Sequence, residues 1–324
     1  MSDELKEQKP EKKKLANLKQ RSITAVFLFA ILIPVIFFGG LFIEVICGVM
    51  AILATYELEH MYKGEEKWSY SGIQAIILSG LTYASIVYAI LSQKWFILII
   101  TSLVLFLVIG ISSIIDSKED IHMIGRHLLS VLYPVIGFSA LAMVRNIPAC
   151  YYYQDQFITI THISEPKYYL NGVLLLVYTA LVCIMTDNFA YVFGTKFGKN
   201  KLAPVTSPHK TWEGSIWGSV FGTVIPTFLV MFTNLKYVLF PKVYNVFFQI
   251  LLTVAFSLVL SIIEQFGDLF ASKLKRGYGL KDYSNLLPGH GGILDRFDSY
   301  IFASVFVFVW VMTINNYWSF FLTL

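Results

Sequence analysis

Acidic residues crowd a short polar region near the carboxyl end of this chain. Asp268, Ser272 and Lys275 are spaced so that they share one face of a helix. Asp295 and Asp298, three positions apart, share a face as well if the next helix begins at that point. Carboxylate oxygens are the ligands that hard divalent cations take. Asp268, Asp295 and Asp298 are therefore candidate metal ligands and, with Ser272 and Lys275, candidate catalytic residues.

Basic residues and glycines lie among these acids. The stretch "GYGLKDYSNLLPGHGG" holds five glycines and a proline, so a continuous helix is excluded and a loop is expected. Glycines let backbone N–H groups approach a phosphate closely, and basic side chains hold phosphates. The candidate substrate-binding residues here are Arg276, Lys281, His290, Gly291, Gly292 and Arg296. Carboxylates, cations and glycines together favour phosphoryl or nucleotidyl transfer; a structural ion pair with a histidine-stabilised loop is the alternative.

A second polar segment reads "TDNFAYVFGTKFGKNKLAPVTSPHKTWEG" and begins inside an apolar run with Asp187. A charge at the centre of a membrane span costs about 2.5–3.5 kcal/mol, so such residues usually face an interior or a wet cavity. Further on, Ser207 or Thr211 precedes a glutamate in the pattern that starts a helix. The candidate substrate-binding residues are Asp187, Ser207, Lys210 and Glu213. The alternative is a basic loop that ends in a capping motif.

The elements that must position these residues are apolar. The chain has 324 residues, of which 56% are hydrophobic and 14% charged, whereas soluble proteins carry about a quarter charged residues. Runs of about 20 apolar residues predict membrane spans, and they lie at 22–40, 41–57, 72–92, 95–115, 124–144, 171–194, 213–233, 246–271 and 299–322. The expected fold is an all-α polytopic membrane protein with about nine transmembrane helices, in one catalytic domain over 22–324.

The distribution of lysine and arginine predicts which side each loop faces. Residues 1–21 form a basic tail that we expect to be disordered and cytoplasmic. With that orientation 20 of the 25 basic residues are cytoplasmic, and only Lys94, Arg145, Lys167, Lys236 and Lys242 lie on the other side. Loops 195–212 and 272–298 then face the cytoplasm together, and loop 147–170 is extracytoplasmic. The three cysteines are scattered, so neither a disulfide framework nor a zinc site is expected.

One run resembles a known family. The sequence "SKLKRGYGLKDYSNLLPGHGGILDRFD", from Ser272 to Asp298, looks like the signature of phosphatidate cytidylyltransferases, or CDP-diacylglycerol synthases, and matches it over all 27 positions. The segment that begins at Asp187 is similar to the family's second region, with His209 where a lysine is common. Most of the chain after the tail is covered by the resemblance.

The resemblance implies a reaction and its partners. CTP and phosphatidate would yield CDP-diacylglycerol and pyrophosphate in phospholipid biosynthesis, with dependence on Mg²⁺ and assistance from a monovalent cation such as K⁺. It also implies a homodimer in the cytoplasmic membrane, in contact with membrane lipid and with no nucleic-acid partner. Carried over by position, Asp268, Asp295 and Asp298 would bind metal, and Ser272, Lys275 and Arg276 would contact phosphate.

Two other functions stay open at this point. A CTP-dependent polyprenol or phytol kinase is weakly similar in sequence, and it would release CDP rather than pyrophosphate. A transporter would place its charges at the bilayer midplane, whereas these acids stand near the ends of predicted spans. No internal repeat is visible, which disfavours a transporter built from two related halves.

Overall fold

Helices account for nearly all of the regular structure. The computed structural model describes residues 32–64, 67–92, 94–115, 121–146, 166–240 and 245–314, with isolated positions at 26, 30, 152–153, 156–157 and 243. Residues 32–38 belong to helix α1. The others are α2 Gly40–Lys63, α3 Tyr70–Ser92, α4 Phe96–Ile115, α5 Ile121–Asn146, α6 Pro166–Phe197, α7 Trp212–Phe232, α8 Leu235–Leu239, α9 Val246–Gly277 and α10 Leu294–Ile314. Four short strands are β1 Tyr152–Tyr153, β2 Gln156–Phe157, β3 Lys201–Ala203 and β4 Ser207–Thr211.

The all-α polytopic membrane fold is confirmed. Within the described ranges, seven helices are long and apolar enough to span a bilayer, so the count of nine is not confirmed. Of the predicted span 22–40 the structure describes residues 26, 30 and 32–40, whereas most of the loop 147–170 lies outside the described residues. Four helices extend five or six residues beyond the predicted spans: α2 ends at Lys63 instead of 57, α6 begins at Pro166 instead of 171, α9 ends at Gly277 instead of 271, and α10 begins at Leu294 instead of 299.

Two glycines form a tight joint between α1 and α2. Gly39 and Gly40 both have positive φ, at 59° and 51°, a conformation that glycine adopts at no steric cost. The buried Arg145 covers the end of α1, because its Nε and Nη2 donate to the carbonyls of Ile36 and Phe37 at 2.6 and 3.0 Å. A Cβ on Gly39 would lie 2.6 Å from that guanidinium. Glycine is therefore required where the chain reverses.

Helix ends meet in two separate groups. At one end of the bundle the Arg126 guanidinium lies over the Tyr278 ring, 5.6 Å from its centroid, which joins the start of α5 to the end of α9. At the other end, Asn146 accepts from the Gly40 N–H at 3.0 Å and joins the end of α5 to the start of α2. Helix α5 therefore runs antiparallel to α2 and α9. The contact of Lys210 with Asp268 places the two polar segments at the same end of the bundle.

Small and hydroxylated residues bring α6, α7 and α9 close together. A side chain on Gly222 of α7 would overlap the Thr186 hydroxyl of α6, so the two helices pack at close range. That hydroxyl and Ser261 Oγ of α9 are 2.9 Å apart, and Tyr178 hydrogen bonds Ser257 at 2.7 Å. Small residues and interhelical hydrogen bonds of this kind hold membrane helices together. They fix the three helices from which most of the candidate site projects.

Candidate active site

A β-hairpin carries the first cation of the site. The predicted loop after α6 contains strands β3 and β4, antiparallel with Lys201 opposite Thr211. Lys210 projects from β4, and its Nζ forms an ion pair with Asp268 Oδ2 on α9. Their side chains are 24% and 25% exposed, so the pair is only partly open to solvent. The structure therefore joins two segments that are 58 residues apart in sequence, and both were predicted to belong to the site.

Several carboxylates act on Lys210. Burial alone would lower the pKa of this lysine, but the neighbouring carboxylates of Asp268, Asp187 and Glu264 outweigh burial and raise it. Lys210 is thus held in its charged form among three acids. Asp187 and Lys210, two separate candidates from the sequence, lie near each other beside the same cavity, and Glu264 is an addition that the sequence reasoning did not identify.

Asp268 and Asp298 form the acidic side of the site. Asp268 Oδ1 accepts from the Ser272 hydroxyl at 3.2 Å, as expected for two residues one helical turn apart. Asp298 is 9% exposed on α10, and its Oδ1 accepts from the backbone N–H of Ser299 at 2.8 Å. The charge of Asp268 acts on Asp298, so α9 and α10 bring these two predicted carboxylates near each other.

Asp295 is turned into the loop between α9 and α10. Its Oδ1 accepts from Lys275 Nζ at 2.7 Å, and its Oδ2 accepts from the backbone N–H groups of Tyr283 and Gly292 at 2.9 Å each. The Lys275 ammonium also lies 5.1 Å from the centroid of the Tyr283 ring. Burial raises the pKa of Tyr283, so that ring stays neutral. Asp295 and Lys275 are therefore engaged with each other and with the loop.

The three aspartates predicted as metal ligands differ in how well they are placed to bind Mg²⁺. Across the described part of the chain, no three His, Cys, Asp or Glu side chains are grouped closely enough to hold a metal ion. Mg²⁺ usually takes only one or two carboxylates and completes its shell with water and substrate phosphates, so Asp268 and Asp298 fit it. The carboxyl group of Glu264 is fully buried on α9, close enough to Lys210 for its charge to act on that lysine. The role of Asp295 as a ligand stays a prediction.

The glycine loop is organised by the protein's own carboxylates. Gly291 has a positive φ of 88°, which its turn requires. The Gly292 N–H is taken by Asp295, and the N–H groups of Ile293 and Leu294 donate to Glu57 of α2 at 2.8 and 2.9 Å. The sequence predicts that the loop glycines, Gly291 and Gly292 among them, let backbone N–H groups approach a phosphate. In the structure the amides of residues 292–294 are already satisfied within the protein.

Two of the remaining basic residues of this loop, Arg276 and Arg296, also bind the protein's own backbone. Arg276 Nη1 donates to the Leu280 carbonyl at 2.8 Å, and Arg296 Nε donates to the His290 carbonyl at 2.6 Å; both contacts close turns. His290 Nδ1 is buried, and no residue in the described part of the chain hydrogen bonds it. Lys281 is exposed. Phosphate binding by these residues stays a prediction.

The start of α7 shows which of Ser207 and Thr211 caps the helix. Thr211 is the N-cap, because its side chain accepts from the Gly214 N–H at 3.2 Å, while Ser207 begins β4. Glu213 accepts from the backbone N–H groups of Lys199 and Asn200 at 3.1 and 3.2 Å. In these contacts Glu213 holds the turn before the hairpin, so substrate binding by Glu213 and Ser207 stays a prediction.

A cavity of about 580 Å³ lies beside Lys210, between α6, the hairpin, α7 and α9. Its polar lining comprises Asp187, Tyr191, Thr195, Lys201, His209, Lys210, Thr211, Ser215 and Gln265. Binding pockets for small ligands usually measure about 300–1,000 Å³. Two lysines and a histidine suit an anionic ligand. Sequence reasoning missed Ser215 and Gln265, which hydrogen bond each other at 2.5 Å across α7 and α9.

Fold and site together define a class. The protein is a polytopic membrane protein whose helix bundle holds, at one end, a cavity lined by the charged residues Asp187, Lys201 and Lys210. Lys210 pairs there with Asp268 of α9.

The comparisons name the family. A model of the cytidylyltransferase family matches residues 19–314. Phosphatidate cytidylyltransferase of Staphylococcus aureus (strain COL) is 32% identical over 293 residues, which cover 88% of this chain and 96% of the relative. The proteins of that name from Staphylococcus haemolyticus (strain JCSC1435) and Staphylococcus epidermidis (strain ATCC 12228 / FDA PCI 1200) show the same identity and coverage. The chain belongs to the cytidylyltransferase family and is a nucleotidyltransferase, which confirms the resemblance.

Proposed function

We propose that this enzyme transfers the cytidylyl group of CTP to phosphatidate, forming CDP-diacylglycerol and pyrophosphate. The observation that carries the proposal is the ion pair of Lys210 with Asp268, which sets a cation between a carboxylate cluster and the 580 Å³ cavity. The relatives' name supplies the lipid substrate. A site at the end of a membrane bundle suits one substrate from water and one from the headgroup layer.

The reaction needs little acid–base chemistry from the protein. A phosphate oxygen of phosphatidate attacks the α-phosphorus of CTP, a P–O bond forms, and the bond to the β-phosphate oxygen breaks to release pyrophosphate. A phosphate monoester has a second pKa of about 6, so it is largely dianionic at neutral pH and needs no general base. Catalysis then rests on positioning and charge stabilisation. Lys210 beside the cavity and Lys275 beside Asp295 would offset the repulsion between two anionic substrates.

Mg²⁺ fits this scheme through Asp268 and Asp298, and a bound ion would neutralise developing charge on the leaving pyrophosphate. Ser272 orients Asp268 through its 3.2 Å hydrogen bond. Asp187 and Glu264 keep Lys210 charged. Assistance from K⁺ and a homodimeric state belong to the proposal by family resemblance.

The charge distribution supports a cytoplasmic site. The polar segments share one end of the bundle, and 20 of the 25 Lys and Arg residues lie on that side in the predicted orientation. CTP is supplied from the cytoplasm, and phosphatidate of the inner leaflet presents its phosphate at the same level. We therefore propose an integral protein of the cytoplasmic membrane.

The test is transfer of label by the purified protein. Phosphatidate is incubated with CTP labelled at the α-phosphate or, separately, at the γ-phosphate, with and without Mg²⁺. We expect α-label in the lipid, γ-label in pyrophosphate, and no product without the metal. Appearance of γ-label in the lipid with release of CDP would identify a kinase instead. A Lys210→Met variant, tested in parallel, should lose the transfer.

A further inference from the structure

A buried glutamate from a distant helix holds the loop that leads into α10. Glu57 of α2 is 0% exposed. Its Oε1 accepts from the Ser284 hydroxyl at 2.6 Å and from the Ile293 N–H at 2.8 Å, and its Oε2 accepts from the Leu294 N–H at 2.9 Å. These partners lie 227–237 residues away in sequence. The contact therefore joins the amino-terminal half of the chain to the loop that carries the candidate site.

Two of these donors begin α10. The first N–H groups of a helix have no partner within it, and a carboxylate at that end satisfies them and interacts favourably with the helix dipole. Glu57 does this for the helix on which Asp295 and Asp298 stand. A Cβ on Gly292 would lie 2.6 Å from Glu57 Oε1, so the glycine permits the close approach of this carboxylate.

A second carboxylate anchors the same loop. Asp295 accepts from the N–H groups of Tyr283 and Gly292 and pairs with Lys275. Glu57 fixes the loop to α2, and Asp295 fixes it to α9. The direction of the first turn of α10, and hence the place of Asp298 beside Asp268, depends on both anchors.

We propose that Glu57 is a positioning residue for the nucleotidyl transfer, and the inference rests on the proposed function. It acts by holding the start of α10 so that Asp298 lies near Asp268 and Asp295 meets Lys275. Its three hydrogen-bond partners are protein groups, so it aligns the site and leaves binding of substrate to other residues.

A carboxylate is needed because three donors converge on it. Glutamine at this position keeps one acceptor oxygen and turns an NH₂ group toward the remaining donors, while alanine leaves both helix N–H groups without a partner. The rate of transfer should therefore be highest in wild type, lower in Glu57→Gln and lowest in Glu57→Ala. A small misplacement of reacting groups can cost about a hundredfold in rate.

The experiment measures kinetics and loop protection in Glu57→Gln and Glu57→Ala. We expect kcat to fall about tenfold in the first and about a hundredfold in the second, with KM for CTP changed by less than about threefold, because binding groups remain. Hydrogen exchange in a peptide covering 284–294 should become faster, while exchange in α6 stays unchanged. Glu59→Gln is the matched control, since this buried carboxylate of the same helix bonds His127 and Ser130 instead of the loop.

A second pair of variants keeps the carboxylate in place. Gly292→Ala crowds Glu57, so it should lower kcat and loosen the loop, whereas Gly277→Ala has open space and should do neither. The proposal is overturned if Glu57→Gln retains wild-type kcat and loop protection, or if Glu59→Gln loses as much of both. If wild type forms no CDP-lipid, the proposed function fails, and hydrogen exchange alone still decides whether Glu57 anchors the loop.

Discussion

The Lys275–Asp295 pair allows two roles of one aspartate to be separated. The sequence predicts Asp295 as a metal ligand, whereas in the structure it receives Lys275 and two backbone N–H groups. The perturbation is a double-mutant cycle with Asp295→Asn, Lys275→Met and the combination of both. If Asp295 anchors the loop, the two residues should be coupled in stability even when no metal is present.

The expected loss of stability follows from the burial of the Lys275–Asp295 pair. The two side chains are only 10% and 4% exposed, so solvent screens the pair weakly. Removing one partner of a buried pair costs about 3–5 kcal/mol, because the other charge is left uncompensated. Asparagine retains an oxygen for the N–H groups of Tyr283 and Gly292, and the Tyr283 ring still faces Lys275. We therefore expect the lower value, about 3 kcal/mol, for each single variant.

The assay is unfolding in detergent micelles with a chelator present. Replacing both members of a buried pair by neutral groups is often close to neutral, so the double variant should be much less destabilised than the sum of the single variants. The expected coupling energy is about 3 kcal/mol, at the upper end of the range found for residues in direct contact, so the double variant should be no less stable than either single variant.

Additive losses, with a coupling energy under about 0.5 kcal/mol, would refute the anchoring role. A stability loss seen only in the presence of Mg²⁺ would show that Asp295 acts chiefly on the metal. Conversely, Asp295→Asn with a near wild-type rate of CDP-diacylglycerol formation in Mg²⁺ would contradict its assignment as a ligand.

Four further predictions concern the packing and the charge of the site. Gly222→Ala should destabilise the protein by about 1–3 kcal/mol in thermal unfolding because its Cβ overlaps a neighbouring helix, whereas Gly110→Ala, which meets open space, should not. Thr211→Ala should cost about 1 kcal/mol in thermal unfolding through loss of the N-cap. Lys210→Met should lower kcat about a hundredfold. Because the pKa of Lys210 is raised, stability from its pair with Asp268 should be complete below the ordinary pKa of 10.5 and be lost only as pH rises through the higher value in the folded protein, as pH-dependent unfolding can check.

The sequence predicts the helices well because apolar length alone decides them. Spans 72–92, 95–115 and 124–144 correspond to α3, α4 and α5 with ends shifted by at most three residues. The end of α2 was wrong for a physical reason. Its last turns carry Glu57 and Glu59, and two acids in succession indicate the polar end of a span. In the structure both side chains are buried and bind polar partners at one end of the bundle.

The sequence predicted many of the residues of the site but not the contacts between them. Lys210 and Asp268 were both candidates, but only the fold of the β3–β4 hairpin brings them together. Glu264 could have been found, since Ser257, Ser261, Glu264 and Asp268 recur every three or four residues along the apolar helix α9. Glu57 carried no such signal, because its partners are backbone N–H groups more than 200 residues away.

The acids of this chain fall into two groups with different physical tasks. Glu57 and Asp295 accept hydrogen bonds from loop amides, so their charge is consumed in fixing backbone. Asp187 and Asp268 act on Lys210 beside the cavity, where charge can meet a substrate. Since the amides of 292–294 are already taken, phosphate recognition should rest on lysine side chains rather than on the glycine loop. The glycines then serve the close approach of carboxylate to backbone, which aligns α10 with α9.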